Sequence, residues 1–180
     1  MTAFDKSTPT ADEILALRQV ATGAASVVRG LAPAVVVGGA FALTTIANTL
    51  FHVAFSIWDI SDDFGAGDRS PEEQLPVIIV IGVIGLLAAL GIGKWLSGDR
   101  APRGAVVLGV LSILSLPVFF SGAPASFGAM AAVRAGFARG GSPTSGAPRG
   151  FGIAGIVIAV LIIVAVFAGN ISGIIESAAK

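Results

Sequence analysis

Four stretches of the chain run almost without charged side chains, at residues 31–57, 76–96, 104–133 and 151–175, and charge, glycine and proline gather between them. A helix crossing a bilayer needs about 20 mostly apolar residues at about 1.5 Å rise each. The first stretch meets that need with His52 as its sole ionisable group. The second meets it and ends on Lys94 and Trp95, residue types that mark a membrane interface. The last meets it with Asn170 as its one strongly polar residue. Each of these three predicts a full transmembrane helix.

The stretch 104–133 does not fit one straight crossing. As a continuous helix it would measure about 45 Å against a hydrocarbon core of about 30 Å. Pro117 and the Ser121-Gly122-Ala123-Pro124 turn interrupt it, so the break is expected over 117–124. Either it crosses once with an irregular tail, or it dips in and returns as a hairpin. Charge sorting separates the two, because cytoplasmic loops collect Lys and Arg. Lys6, Arg18 and Arg29 precede the first stretch; Lys94, Arg100 and Arg103 follow the second; Arg134, Arg139 and Arg149 precede the last. A hairpin puts all three groups on one side and leaves Arg69 and Lys180 on the other. A repeat agrees with this: Ala101-Pro102-Arg103-Gly104 recurs as Ala147-Pro148-Arg149-Gly150, as if both following arms start from the same face.

Outside the spans the pattern changes. Residues 10–29 carry helical periodicity, with Ile14, Leu17, Val20, Ala21, Ala24, Val27 and Val28 on one face and Arg18, Gln19, Thr22, Ser26 and Arg29 on the other. Thr10 and Glu13 have capping-box spacing. This predicts an amphipathic helix lying in the headgroup layer or docked on another subunit. The loop after the first span holds Asp59, Asp62, Asp63 and Asp68, followed by a helix start at Ser70, Pro71 and Glu73. Its acids lack the alternating spacing of a calcium loop; the helix start accounts for the last of them structurally, and a surface facing a partner is the alternative for Asp59, Asp62, Asp63 and Asp68. Residues 138–150 read as a flexible basic linker.

Composition confirms the solvent. Of 180 residues 54% are hydrophobic and 12% charged, with mean hydropathy +0.90. A soluble domain carries about 25% charged residues. The net charge of zero conceals the sorting described above. There is no cysteine, which excludes disulfide partners, thiolate metal sites and a lipid-modified cysteine anchor. One histidine and no tyrosine leave little for cofactor ligation. No nucleic-acid motif accompanies the arginines.

The spans contain no Asp or Glu and, within their cores, no Lys or Arg, which argues against a proton- or ion-coupled pump. Their polar feature is Thr45, Asn48, Thr49, His52 and Ser56, at offsets of three, four, seven and eleven along one helical face. Such a seam either lines a path for a small molecule or proton or makes hydrogen bonds between helices. Gly85, Ala89 and Gly93, then Gly155 and Ala159, then Ala165, Gly169 and Gly173 have small-xxx-small spacing, and some of these faces are expected at helix contacts, in this chain or with a neighbour, with Gly38 and Gly39 in the same role on the first span. Gly150-x-Gly152-x-x-Gly155 matches a dinucleotide fingerprint in letters only, since no strand precedes it.

Residues 105–111 (AVVLGVL), Gly122, Pro124, Phe127, Gly128 and Ala131, then 149–156 (RGFGIAGI), carry a likeness. On these, the stretch 104–169 resembles a small two-segment membrane domain common in actinobacterial proteins. The resemblance implies a bacterial membrane location and no assigned chemistry. The expected fold is all-α and polytopic: an N-terminal arm over 1–30, one transmembrane domain over 31–175 with three full spans plus the broken hairpin, and a tail at 176–180. The expected function is that of a non-catalytic accessory or scaffold subunit, or a homo-oligomer, with membrane lipid and other membrane subunits as partners. A small transporter or channel using the Thr45–Ser56 seam is the alternative; a membrane enzyme ranks third, for want of a convergent acid, base or metal set. No catalytic, cofactor or metal residues are expected. The expected location is the bacterial plasma membrane, multi-pass, with a cytoplasmic N-terminus.

Overall fold

A computed structural model describes residues 11–58 and 71–178 of the chain. Among the described residues all regular structure is helical. Helix α1 is Ala11–Gly30, α2 Pro33–Phe41, α3 Ala47–Trp58, α4 Pro71–Trp95, α5 Ala101–Leu114, α6 Ala123–Arg134 and α7 Ala147–Ala178. A π-helical turn, Ala42–Ile46, joins α2 to α3, so that Pro33–Ile57 is one rod. This rod, Glu73–Trp95 and Ala147–Ile175 are long and apolar enough to cross a membrane.

Proline sets most of the starts. Pro33, Pro102 and Pro124 sit in the first turns of α2, α5 and α6, where the missing N–H has no bond to lose. Pro76, read from sequence as the start of the second span, lies inside α4, which begins a turn and more earlier. Likewise α7 begins at Ala147 rather than at 151, and the expected linker 138–150 is much shorter. What remains of it is held: the Arg139 N–H donates to the Leu31 carbonyl at 2.7 Å and the Thr144 N–H to the Ala135 carbonyl at 3.1 Å.

Between α5 and α6 the chain breaks. Pro117 cannot donate to the carbonyl four residues back, and a 3₁₀ segment, Leu116–Ser121, replaces the α-helix. Gly122 then reverses the chain in the left-handed region, at φ 76°. The two arms return alongside one another. The Ser112 hydroxyl, near the end of α5, donates to the Pro124 carbonyl at 2.8 Å. At the other end a Cβ on Gly104 would lie 3.5 Å from Arg134 Cγ. The arms are therefore antiparallel, and the break falls over 115–122, close to the expected 117–124.

Helix α6 is the centre of the molecule. Every residue from 121 to 132 is buried, and α2, α4, α5 and α7 all pack against it. A helix apolar on every side belongs in an interior, and Ala, Gly and Ser keep this one thin. Gly85 meets Ala123, Gly93 meets Met130 and Gly109 meets Phe151, each too closely for a Cβ. Gly128 of α6 and Gly155 of α7 touch backbone to backbone. Ala89 and Ala159 complete the buried faces of α4 and α7. Ala165 is exposed; the buried face of α7 runs instead through Gly155, Ala159, Ile162, Val166 and Gly169. Gly173 is half-buried, opposite Phe55. A Cβ added at Gly38 or Gly39 would meet nothing within 4 Å, so neither is a helix contact within this chain.

Helix α1 covers one end of the bundle. Ala24, Ala25 and Val28 pack on Ala105, Ala132, Ala135, Phe137 and Ile156. Val20 and Val27, on the predicted apolar face, are exposed, as is Leu15. The same end gathers Lys94 from the last turn of α4, Arg103 from the first turn of α5, Arg134 from the last turn of α6 and Arg149 from the first turn of α7.

Candidate functional site

The polar side chains of the first span meet the hairpin at its break. A π turn adds a residue to the helical repeat, and here it turns two consecutive threonines inward: Thr44 is 0% exposed and Thr45 2%. Asn48, Thr49, His52 and Ser56 continue down the face the sequence offsets predicted, with Asn48 and His52 buried and Thr49 and Ser56 half-buried.

Two carbonyls at the hairpin tip need donors. The residue four after Phe120 is Pro124, which has no N–H to give it, so an ordinary helical bond is ruled out by covalent structure. The Asn48 amide donates to the Phe120 carbonyl at 2.8 Å. The Thr45 hydroxyl donates to the Ser121 carbonyl at 2.6 Å. From the opposite side the Asn170 amide of α7 donates to Asn48 Oδ1 at 3.1 Å and to the Val166 carbonyl at 2.6 Å. Ser121 closes the tip on itself, donating to the Val118 carbonyl at 2.7 Å and accepting from the Ala123 N–H at 3.3 Å. Thr44 and Thr49 bond back to the Ala40 and Thr45 carbonyls of their own helix.

Glycine makes this closeness sterically feasible. A Cβ on Gly82 would lie 2.6 Å from the Ser121 carbonyl, and one on Gly122 would fall on the hydroxyls of Thr44 and Thr45. Below this collar of hydrogen bonds around the hairpin tip, His52 is 5% exposed and stands edge-on to Phe55, ring centres 6.2 Å apart. Phe51 meets Phe167 of α7 in the same manner at 5.8 Å.

The collar therefore consists of hydroxyls and carboxamides bonded to main-chain carbonyls. It can hold and orient backbone; hydroxyls and amides of ordinary acidity move no protons near neutral pH. Among the described residues no three His, Cys, Asp or Glu side chains converge as metal ligands would. Asp59, Asp62, Asp63 and Asp68 lie outside the described residues. Sequence reasoning placed Thr45 and Asn48 on one face but missed their partners, and it missed Thr44, Gly82, Gly128 and Ser112. Asn170 was visible as a lone polar residue, 122 positions from the side chain it bonds. At the opposite end of α6 Arg134 has a buried Nε with no hydrogen-bond partner, and desolvation holds its guanidinium below the ordinary arginine pKa.

No protein family, curated protein or solved structure matches the chain. The likeness noted for residues 104–169 thus has no match behind it, and function rests on the geometry alone.

Proposed function

We propose that the chain is a non-catalytic integral membrane protein, an accessory or scaffold subunit that packs against a larger membrane complex or against copies of itself. The observation that carries this reading is the collar. Thr45, Asn48 and Asn170, the polar groups a transport path would need, are bonded to the hairpin backbone and to each other. Irregular backbone is tolerated at membrane depth where protein satisfies it, and these side chains do that.

The arms of the hairpin have 14 and 12 residues, which at 1.5 Å per residue reach about 20 Å, short of a core of about 30 Å. That length, and the gathering of Lys94, Arg103, Arg134 and Arg149 at one end, support a re-entrant hairpin beside three full spans. The positive-inside tendency makes that end, with the N-terminal arm, cytoplasmic, in a bacterial plasma membrane. The outward side of α4, through Ile79, Val80, Ile84 and Leu87, is exposed and apolar, as a face toward lipid or a neighbouring subunit must be. The acidic loop would meet a partner on the far side.

Purification of the tagged chain in mild detergent, with mass identification of what co-purifies and light scattering for size, tests the reading. A stoichiometric larger complex or a defined homo-oligomer is expected. A lone monomer that passes solute in liposomes, with the passage abolished by His52→Ala, would establish the transporter reading instead.

A further inference from the structure

The polar face of α1 does not point only to solvent. Thr22, Ala25, Ser26 and Arg29, at offsets of three, four and seven, line a cavity of about 610 Å³ with Phe137, Arg149 and Ile153. That volume is in the range that holds a small organic ligand. Its polar parts are at the mouth: Thr22, Ser26, Arg29 and Arg149 are exposed. Its apolar parts are deeper, with Phe137 4% exposed and Ala25 and Ile153 half-buried. Among the described residues, its lining holds two guanidinium groups and no carboxylate. Two cationic side chains brought to one cavity mouth by separate helices make it attractive to an anion.

We propose that this cavity binds one anionic glycerophospholipid, its phosphate between Arg29 and Arg149 and its first acyl methylenes against Phe137 and Ile153. The proposal rests on the membrane reading above, which puts this cavity at the basic end of the span Ala147–Ile175. Three features select this occupant. Guanidinium forks match phosphate oxygens in pairs. The Ser26 hydroxyl, which donates to the Gly23 carbonyl at 2.7 Å, keeps lone pairs that can accept from a headgroup hydroxyl. An apolar floor beneath a cationic mouth suits an amphiphile and has nothing to offer a free inorganic anion. Basic pockets between helices at the cytoplasmic side are where such headgroups concentrate. Occupancy would also bridge α1 to α7, so the bound lipid would act as a fastening for the N-terminal arm.

The test is native mass spectrometry of the detergent-purified full chain titrated with phosphatidylglycerol, with phosphatidylcholine and, separately, with glycerol phosphate. A 1:1 phosphatidylglycerol adduct is expected, with phosphatidylcholine binding at least ten-fold weaker. The Arg29→Gln/Arg149→Gln double variant should bind phosphatidylglycerol roughly thirty-fold more weakly, from about 1 kcal/mol per arginine near a surface. Arg103→Gln/Arg139→Gln, at exposed arginines that do not line the cavity, should bind as the wild type does. Ser26→Trp fills the mouth from an exposed position and should also lose the adduct, which keeps the test decisive if the double variant folds poorly. Equal binding by the cavity and control variants overturns the proposal. So does glycerol phosphate binding as tightly as the lipid, which would assign the site to a free phosphate. A chain recovered in the aqueous fraction without detergent would overturn the membrane reading itself, a distinguishable failure.

Discussion

Asn48→Leu is the sharpest probe of the collar. Leucine keeps the number and branching of asparagine's side-chain heavy atoms, so both polar contacts go without leaving a cavity, and its bulkier methyls can only add to the loss. One is the donation to the Phe120 carbonyl at 2.8 Å, the other the acceptance from Asn170 at 3.1 Å. The consequences are unequal. Asn170 keeps its 2.6 Å bond to the Val166 carbonyl, so losing the pair costs about 0.6–2 kcal/mol, as for other hydrogen bonds between helices in lipid. The Phe120 carbonyl has no helical alternative, because Pro124 occupies the donor position, and stranding it adds about 1–3 kcal/mol. Asn48→Leu should therefore destabilise by about 1.6–5 kcal/mol, and Asn170→Leu by about 0.6–2 kcal/mol. Equilibrium unfolding in mixed detergent micelles, followed by tryptophan fluorescence and circular dichroism, measures both. The double variant should show a coupling of about 0.6–2 kcal/mol. If Asn48→Leu unfolds no more easily than Asn170→Leu, the claim that Asn48 serves the broken backbone is wrong.

Further predictions follow from the glycines and the chain's topology. Gly128→Ala should destabilise by at least about 1–3 kcal/mol in the same unfolding assay, because its methyl meets the rigid Gly155 backbone. Gly38→Ala, with nothing within 4 Å, should be neutral or stabilising by up to about 1 kcal/mol; a loss as large as that of Gly128→Ala would refute the packing account. Gly122→Ala, at φ 76°, should cost about 1–3 kcal/mol in backbone strain before the crowding by Thr44 and Thr45 is added, measurable as a lower thermal midpoint. Reporters fused after Gly141 and at the N-terminus should read out on the same side of the membrane, and one in the 59–70 loop on the other; opposite readouts from the first two would rule out a re-entrant hairpin.

Much of this architecture is legible in one dimension. Runs of apolar residues long enough for lipid identify the rods at Pro33–Ile57, Glu73–Trp95 and Ala147–Ile175. Pro117 and Gly122 mark the break, since covalent chemistry denies a helix its bonds there whatever surrounds it. The alternation of polar positions places Thr45, Asn48 and His52 on one face. Of the small-residue positions, Gly85, Ala89 and Gly93 lie in buried contacts of this chain, whereas Ala165 is exposed and Gly38 and Gly39 have open space beside them. Spacing reports which residues share a face; it carries no information on whether a neighbour is there.

The remainder belongs to the tertiary structure. Local sequence determines where the chain must break, because a proline's missing N–H is a local fact. Which donors repair the break is a distant matter: Asn48 and Thr45 lie 72 and 76 residues from the Phe120 and Ser121 carbonyls they serve. Likewise the amphipathic pattern of 10–29 requires a helix, whereas the cavity between that helix and α7 exists because Ala24, Ala25 and Val28 dock where they do. Hydropathy specifies that helices enter the membrane, since each stretch settles that against lipid independently. The placing of α6 at the centre depends on four other helices finding room around its glycines and alanines at once, and only the assembled fold can decide it.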